Sequence, residues 1–236
     1  MHSRTKMLIG ESGIAALKNS SVLVLGIGGV GSYTAEALAR AGIGKIGICD
    51  ADFVSASNIN RQLYALNSTV GLKKTFVAKN RILDINPCAN VEEYDFFFDS
   101  NSLDRFDLSM YDYIVDAIDS MESKVLLITE AHKMDIPIVS ALSAGNKMDP
   151  GMFEVADIFS TSVCPIAKIL RRKLKDAGVT HHKVIYSKET PVKPYTADAP
   201  EDNKKMVGSI SFVPSVMGLL LAGEVIKDLL ERENNG

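Results

Sequence analysis

The chain has 236 residues, 46% hydrophobic and 23% charged, with a formal net charge of −3. That is enough apolar material for a substantial core in one α/β domain with an appended region, and it argues against a broadly basic, general nucleic-acid surface. Cys49, Cys88 and Cys164 form no Cys-x-x-Cys pair, which argues against structural zinc and a disulfide framework and makes a reducing cytoplasm the expected home.

At the N-terminus residues 1–6 are polar and the run Met7-Leu8-Ile9 stops at Gly10, so no signal-peptide core is present. A strand around Leu23-Val24-Leu25 then runs into Gly26-Ile27-Gly28-Gly29-Val30-Gly31, and an Ala- and Leu-rich helix is expected over 32–41, stopped by Gly42. Each glycine of the Gly-x-Gly-x-x-Gly pattern has a mechanical reason: Gly26 for the tight turn, Gly28 for close approach to phosphate, Gly31 for close packing of helix on strand. Gly29 lies within the same cradle. Free backbone N–H groups and the macrodipole at the helix start suit an anion there. The next strand ends on Asp50, about twenty residues beyond the glycines, where an acid can accept from ribose hydroxyls.

The segment 52–74 carries Asn58, Arg61, Gln62, Lys73 and Lys74, more cationic and amide equipment than ribose recognition needs. An arginine, a lysine and an amide beside a helix N-terminus suit a triphosphate whose α-phosphoryl must become electrophilic. Further along, the pattern predicts a helix over 75–85, an outer strand over 91–98, a strand over 114–117, a helix over 123–134 and a strand over 137–142. A crossover loop over 145–151 and a less regular strand over 153–158 follow. The alternation is that of a Rossmann-like, doubly wound, mostly parallel sheet with a smaller C-terminal extension of the same domain. Asp119 follows the apolar run Tyr113-Ile114-Val115, at the expected carboxyl edge of the sheet, where it can serve a metal ion, the N-cap of the next helix, or both.

In the last third a helix is expected over 164–175 with Ile166, Ile169, Leu170 and Leu174 inward. This leaves Lys168, Arg171, Arg172 and Lys175 as a largely solvent-facing basic stripe, either a plain solvated face or a contact for an RNA backbone. Cys164, ahead of Pro165, suits a small buried or cap-position residue better than a thiol nucleophile. A strand-like return over 183–191, a polar loop over 195–205 and an apolar segment over 207–230 complete the chain. Pro214, Glu224, Lys227 and Asp228 leave that segment too short in apolar residues to span a bilayer, so it reads as a buried or dimer-facing helix and no membrane partner is expected.

The glycine run, Asp50-Ala51-Asp52, Ser57-Asn58-Ile59-Asn60-Arg61-Gln62, Lys73-Lys74, Ile85-Asn86-Pro87 and Asp116-Ala117-Ile118-Asp119 together resemble the ThiF/MoeB/ubiquitin-activating superfamily of carboxylate-adenylating enzymes. The resemblance implies an ATP site in which the glycine loop, Asp50 and Asp52 hold the nucleoside, Asn58, Arg61, Gln62 and Lys74 surround the phosphates, and Asp119 handles Mg²⁺. It also implies a homodimer in which Arg4 reaches the partner's phosphate site. Arg4, Arg61, Lys74 and Asp119 are the catalytic candidates.

The C-terminal motifs from Pro165 to Leu174, Val184-Ile185-Tyr186-Ser187-Lys188-Glu189 and Gly208-Ser209-Ile210-Ser211-Phe212-Val213-Pro214 are similar to those of the tRNA threonylcarbamoyladenosine dehydratase family. In that family ATP activates the side-chain carboxylate of threonylcarbamoyladenosine next to the anticodon, and the side chain cyclises with release of AMP. The resemblance thus implies a tRNA substrate bound by the basic stripe, an adenylation core over 1–150, a tRNA and dimer region over 151–236, and a cysteine desulfurase-type partner system. Two rival readings stand beside it: an adenylyltransferase acting on the C-terminal glycine of a sulfur carrier, usually with zinc cysteines, and a non-catalytic nucleotide-binding partner. A dehydrogenase comes last.

Overall fold

The structure, a computed structural model, describes residues 2–193 and 207–235, so the polar loop expected over 195–205 lies outside the described residues. Among the described residues seven strands form one sheet: β1 (Ser21–Leu25), β2 (Lys45–Cys49), β3 (Asn90–Tyr94), β4 (Tyr113–Asp116), β5 (Ile138–Ala141), β6 (Phe153–Asp157) and β7 (Lys183–Ser187), in the order β3-β2-β1-β4-β5-β7-β6. All neighbours are parallel except β6, which runs antiparallel to β7 at one edge. The doubly wound, mostly parallel sheet expected from the alternation is the observed fold.

The central strands β1, β4 and β5 are buried at nearly every position, because a parallel sheet covered on both faces exposes neither. One face carries α1 (Ser3–Asn19), α2 (Gly31–Ala41), α3 (Lys74–Ile85) and α6 (Phe212–Asn235). The other carries α4 (Met121–Lys133), α5 (Pro165–Asp176) and the loops over 96–111. In α6, Val213, Met217, Leu221, Val225 and Leu229 recur every four residues and seat the helix on the core. Its Gly218 carbonyl also accepts the Thr34 hydroxyl of α2 at 2.9 Å. Both β7 and α6 therefore bind the C-terminal third into the same sheet and core.

One element was not anticipated by the sequence, and two end earlier than expected. First, α1 is helical on both sides of Gly10 although its sequence carries little apolar periodicity; Gly13, Ala16 and Leu17 are its buried residues, and contact with α6 supports it. Second, β3 stops at Tyr94 rather than 98, because Asp95 turns out to an ion pair with Lys73 and the rings of Phe96 and Phe98 close onto Phe106. Third, β7 ends at Ser187, after which Glu189 folds back to accept the amides of Met148 and Asp149.

Candidate active site

The chain order reverses between β1 and β4, and a cleft of about 1020 Å³ opens where their carboxyl ends diverge, the place where open α/β sheets take their ligands. Gly26 turns the chain there at φ +85°, and a Cβ on it would stand 2.5 Å from the carbonyl of Ala117. Gly31 is tighter still: its Cβ would lie 1.8 Å from the carbonyl of Gly26. Thus β1, the glycine turn and the loop after β4 are mutually seated, and the start of α2 faces the cleft.

Asp50 stands just beyond β2 and is already engaged. Its Oδ2 accepts the amide of Ile27 at 2.8 Å and its Oδ1 that of Asp52 at 2.9 Å. The buried Lys74 ammonium lies 3.4 Å from Asp50 and 2.7 Å from the exposed Asp52. A carboxylate has about four acceptor sites, so Asp50 keeps capacity for a ribose hydroxyl while bracing the glycine turn.

Residues Ala56–Asn58 form a short 3₁₀ turn closed by a capping box, in which the Asn58 side chain accepts the amide of Ser55. The turn presents Arg61, whose Nη1 donates to the carbonyl of Ser57 and to Asn60 Oδ1. Gln62 is buried beside Gly28, and Asn58, Arg61, Gln62 and Lys74 all line the cleft with Gly26, Gly28, Gly29, Asp50 and Asp52. Lys73 does not join them: it turns away to Asp95 and stacks over Phe53.

Across the cleft, Asp119 is exposed on its rim. It is not the cap of α4, since that role belongs to Ser120, whose side chain accepts the amide of Ser123. Among the described residues no cluster of three His, Cys, Asp or Glu groups could hold a metal by itself. The exposed carboxylates of Asp119 and Glu122 in the lining of a phosphate cradle instead suit Mg²⁺, which usually takes one or two carboxylates together with substrate phosphates and water.

Several lining residues escaped the sequence reading. Phe96, Phe97, Phe98, Ser143, Gly145 and Ser209 also line the cleft. Lys124 is in the lining as well, buried against Asp116. Of these only Ser209 falls in a quoted motif, where it was given no role, although the apolar run Phe96-Phe97-Phe98 was a visible signal. Cys49 also lines the cleft, but burial pushes its thiol up to about 12, so it offers no thiolate near neutral pH. Cys164 takes the cap position of α5 and is buried without a side-chain capping bond, as its small size suggested.

The basic helix needs two corrections. Ile169, expected inward, is 46% exposed and lines the cleft with Ile166 and Lys173. Arg171, expected to face solvent, donates Nη1 to the carbonyl of Thr161 at 2.8 Å and is half-buried, so Lys168, Arg172 and Lys175 form the open face. Arg4 stands exposed on α1 and does not line the chain's own cleft.

A phosphate cradle at the switch point of a doubly wound sheet, with cationic residues and the exposed carboxylates of Asp119 and Glu122 in its lining, defines a Rossmann-like nucleotide-binding protein. The chain belongs to the ThiF family, whose profile matches residues 2–236. It is 43% identical to the tRNA threonylcarbamoyladenosine dehydratase of Bacillus subtilis (strain 168), an alignment covering 97% of this chain and 94% of that protein. It is 34% identical to the enzyme of the same name from Escherichia coli (strain K12), covering 97% and 92%. The solved structure of the E. coli tRNA N6-threonylcarbamoyladenosine dehydratase, TcdA, in complex with ATP superposes with a TM-score of 0.90 at 34% identity, over 98% of this chain and 94% of that one.

Proposed function

We propose that this chain is an ATP-dependent tRNA threonylcarbamoyladenosine dehydratase. The observation that carries the reading is the near end-to-end likeness to proteins of that name, in a chain whose cleft gathers Asn58, Arg61, Gln62, Lys74 and Asp119 around one glycine turn. A side-chain carboxylate oxygen of threonylcarbamoyladenosine attacks the α-phosphorus of ATP, pyrophosphate leaves, and an acyl-adenylate forms. A nucleophile within the same side chain then closes the ring and expels AMP, so the net change is loss of one water. No protein nucleophile is required, in keeping with the protonated Cys49 thiol.

Catalysis in this scheme is positioning and charge neutralisation. The glycine turn and α2 start hold phosphate oxygens, Arg61 and Lys74 draw charge from the α-phosphoryl and the leaving group, and Asp50 orients the ribose. Asp119 would hold Mg²⁺, which supplies Lewis-acid polarisation of the phosphates when bound. Lys74 reaches phosphate by sharing its ammonium between Asp52 and the nucleotide, since Asp52 is solvated and exchanges partners cheaply.

Residues 1–150 serve adenylation and 151–236 serve tRNA and self-association. Lys168, Arg172 and Lys175 contact tRNA backbone, with Arg171 bracing α5. The chain works as a cytoplasmic homodimer in which Arg4 completes the partner's site, a reading supported by exposed Met7 and Leu8 beside it and by its distance from its own cleft lining. A cysteine desulfurase-type partner belongs to the same proposal and is tested by co-purification with such an enzyme. No described helix is long and apolar enough to cross a membrane.

The decisive experiment incubates the protein with ATP, Mg²⁺ and modified tRNA and weighs the nucleoside. Loss of one water supports the proposal. Unchanged nucleoside together with pyrophosphate exchange on a sulfur-carrier C-terminus would assign the adenylyltransferase reading instead.

A further inference from the structure

Beneath the cleft lies a buried ion pair that the adenylation scheme does not use. Asp116 ends β4 with none of its side chain exposed, and Lys124, in the second turn of α4, is 3% exposed; Lys124 Nζ and Asp116 Oδ2 stand 2.7 Å apart. The same ammonium donates to the carbonyl of Ala141, at the end of β5, at 3.0 Å. The other oxygen of Asp116 accepts the amide of Ile118 at 3.1 Å, one residue before Asp119. One lysine therefore ties the end of β4 to the first turns of α4 and the end of β5, and the last two line the cleft together with residues 117–119, which follow β4.

Two ions in so dry a place each lose several kcal/mol of hydration, and an apolar pair of similar volume often serves stability as well or better. What an apolar pair cannot do is hold a turn amide and a strand carbonyl in fixed directions. The geometry points to Lys124 as a positioning residue which, acting through Asp116, sets the turn of residues 117–120 so that the Asp119 carboxylate faces the phosphates. The inference rests on the adenylation reading, in which Asp119 meets Mg²⁺. Lys124 touches no reacting atom.

The test uses the full chain and a fluorescent ATP analogue titrated with and without Mg²⁺. Lys124→Met alone strands a buried carboxylate, so the informative variant is Lys124→Met with Asp116→Asn, which removes both charges and keeps an acceptor for Ile118. It should match the parent's thermal transition and its metal-free affinity within about twofold, yet lose about tenfold of the tightening that Mg²⁺ produces, as Asp119→Asn does. Ser140→Ala, on the neighbouring strand, should leave that tightening intact. A double variant with parental metal response overturns the proposal, as does an Asp119→Asn protein whose response is unchanged. A parent that dehydrates no tRNA would instead sink the adenylation reading, which the nucleoside mass reports separately.

Discussion

Asp50 accepts the backbone N–H of Ile27 at 2.8 Å, so the acid expected at a ribose also grips the glycine turn from the next strand. The two roles are separable. Asp50→Ala should weaken binding of a fluorescent ATP analogue by tenfold or more and also cost about 1 to 3 kcal/mol, because it leaves a buried amide and the Lys74 ammonium short of a partner. Urea unfolding of the nucleotide-free protein checks the second part: an unchanged midpoint would show that the Ile27 bond carries no weight.

Arg61 and Lys74 should both be needed for AMP release, but they should differ in what their loss does to the fold. Arg61 is half-exposed and bonded to nearby turn groups, so Arg61→Ala should keep stability within about 0.5 kcal/mol. Lys74 is buried against Asp50, and Lys74→Ala should lose about 2 kcal/mol besides activity. Thermal melts paired with an AMP-release assay decide it; an active Arg61→Ala protein would refute the phosphate assignment.

On α5, charge reversal at Arg172 should weaken tRNA binding severalfold, more at low than at high salt, with ATP affinity spared. Arg171→Glu should act differently: it breaks the bond to the Thr161 carbonyl and lowers the melting temperature as well. Filter binding at two salt concentrations, with melts of both variants, separates the pair. Equal tRNA affinity for Arg172→Glu and the parent at moderate salt would remove the stripe from the interface.

Burial of His182 should make the fold sensitive to acid. Its Nε2 meets the Ser140 hydroxyl at 2.8 Å, and burial, with His132, Lys124 and His181 nearby, pushes the imidazole down to about 3. An unfolded histidine titrates near about 6.5, so between these values the unfolded chain binds the extra proton and the folded one does not. The stability tied to neutral His182 is complete above about pH 6.5 and declines as pH falls toward 3, by roughly 1.4 kcal/mol per pH unit. Unfolding free energies from urea titrations at pH 7 and pH 5 should therefore differ by about 2 kcal/mol more in the parent than in His182→Gln; equal pH dependence would refute it.

Much of the architecture was legible because local chemistry repeats along the chain. Buried parallel strands must be apolar on both faces, so β1, β4 and β5 announced themselves, and a glycine at φ +85° followed by a helix start leaves few alternatives for residues 26–31. The helix α1 was illegible because its support comes from α6, some 200 residues later, and a weakly patterned segment reveals nothing of a distant neighbour. Likewise, the spacing that placed Arg171 outward on α5 could not register that the Thr161 carbonyl lies within its reach.

By itself the sequence determined the sheet class, the phosphate cradle and the identity of the charged residues around it, since those depend on residue type and short-range spacing. Tertiary structure alone decided which charges share the cleft. Lys74 turns in while Lys73 turns out to Asp95, Ser120 rather than Asp119 caps α4, and Lys124 closes back on Asp116 beneath the site. Each of these outcomes depends on which strand ends meet at the switch point, and pairing between β1 and β4, some ninety residues apart, brings them together.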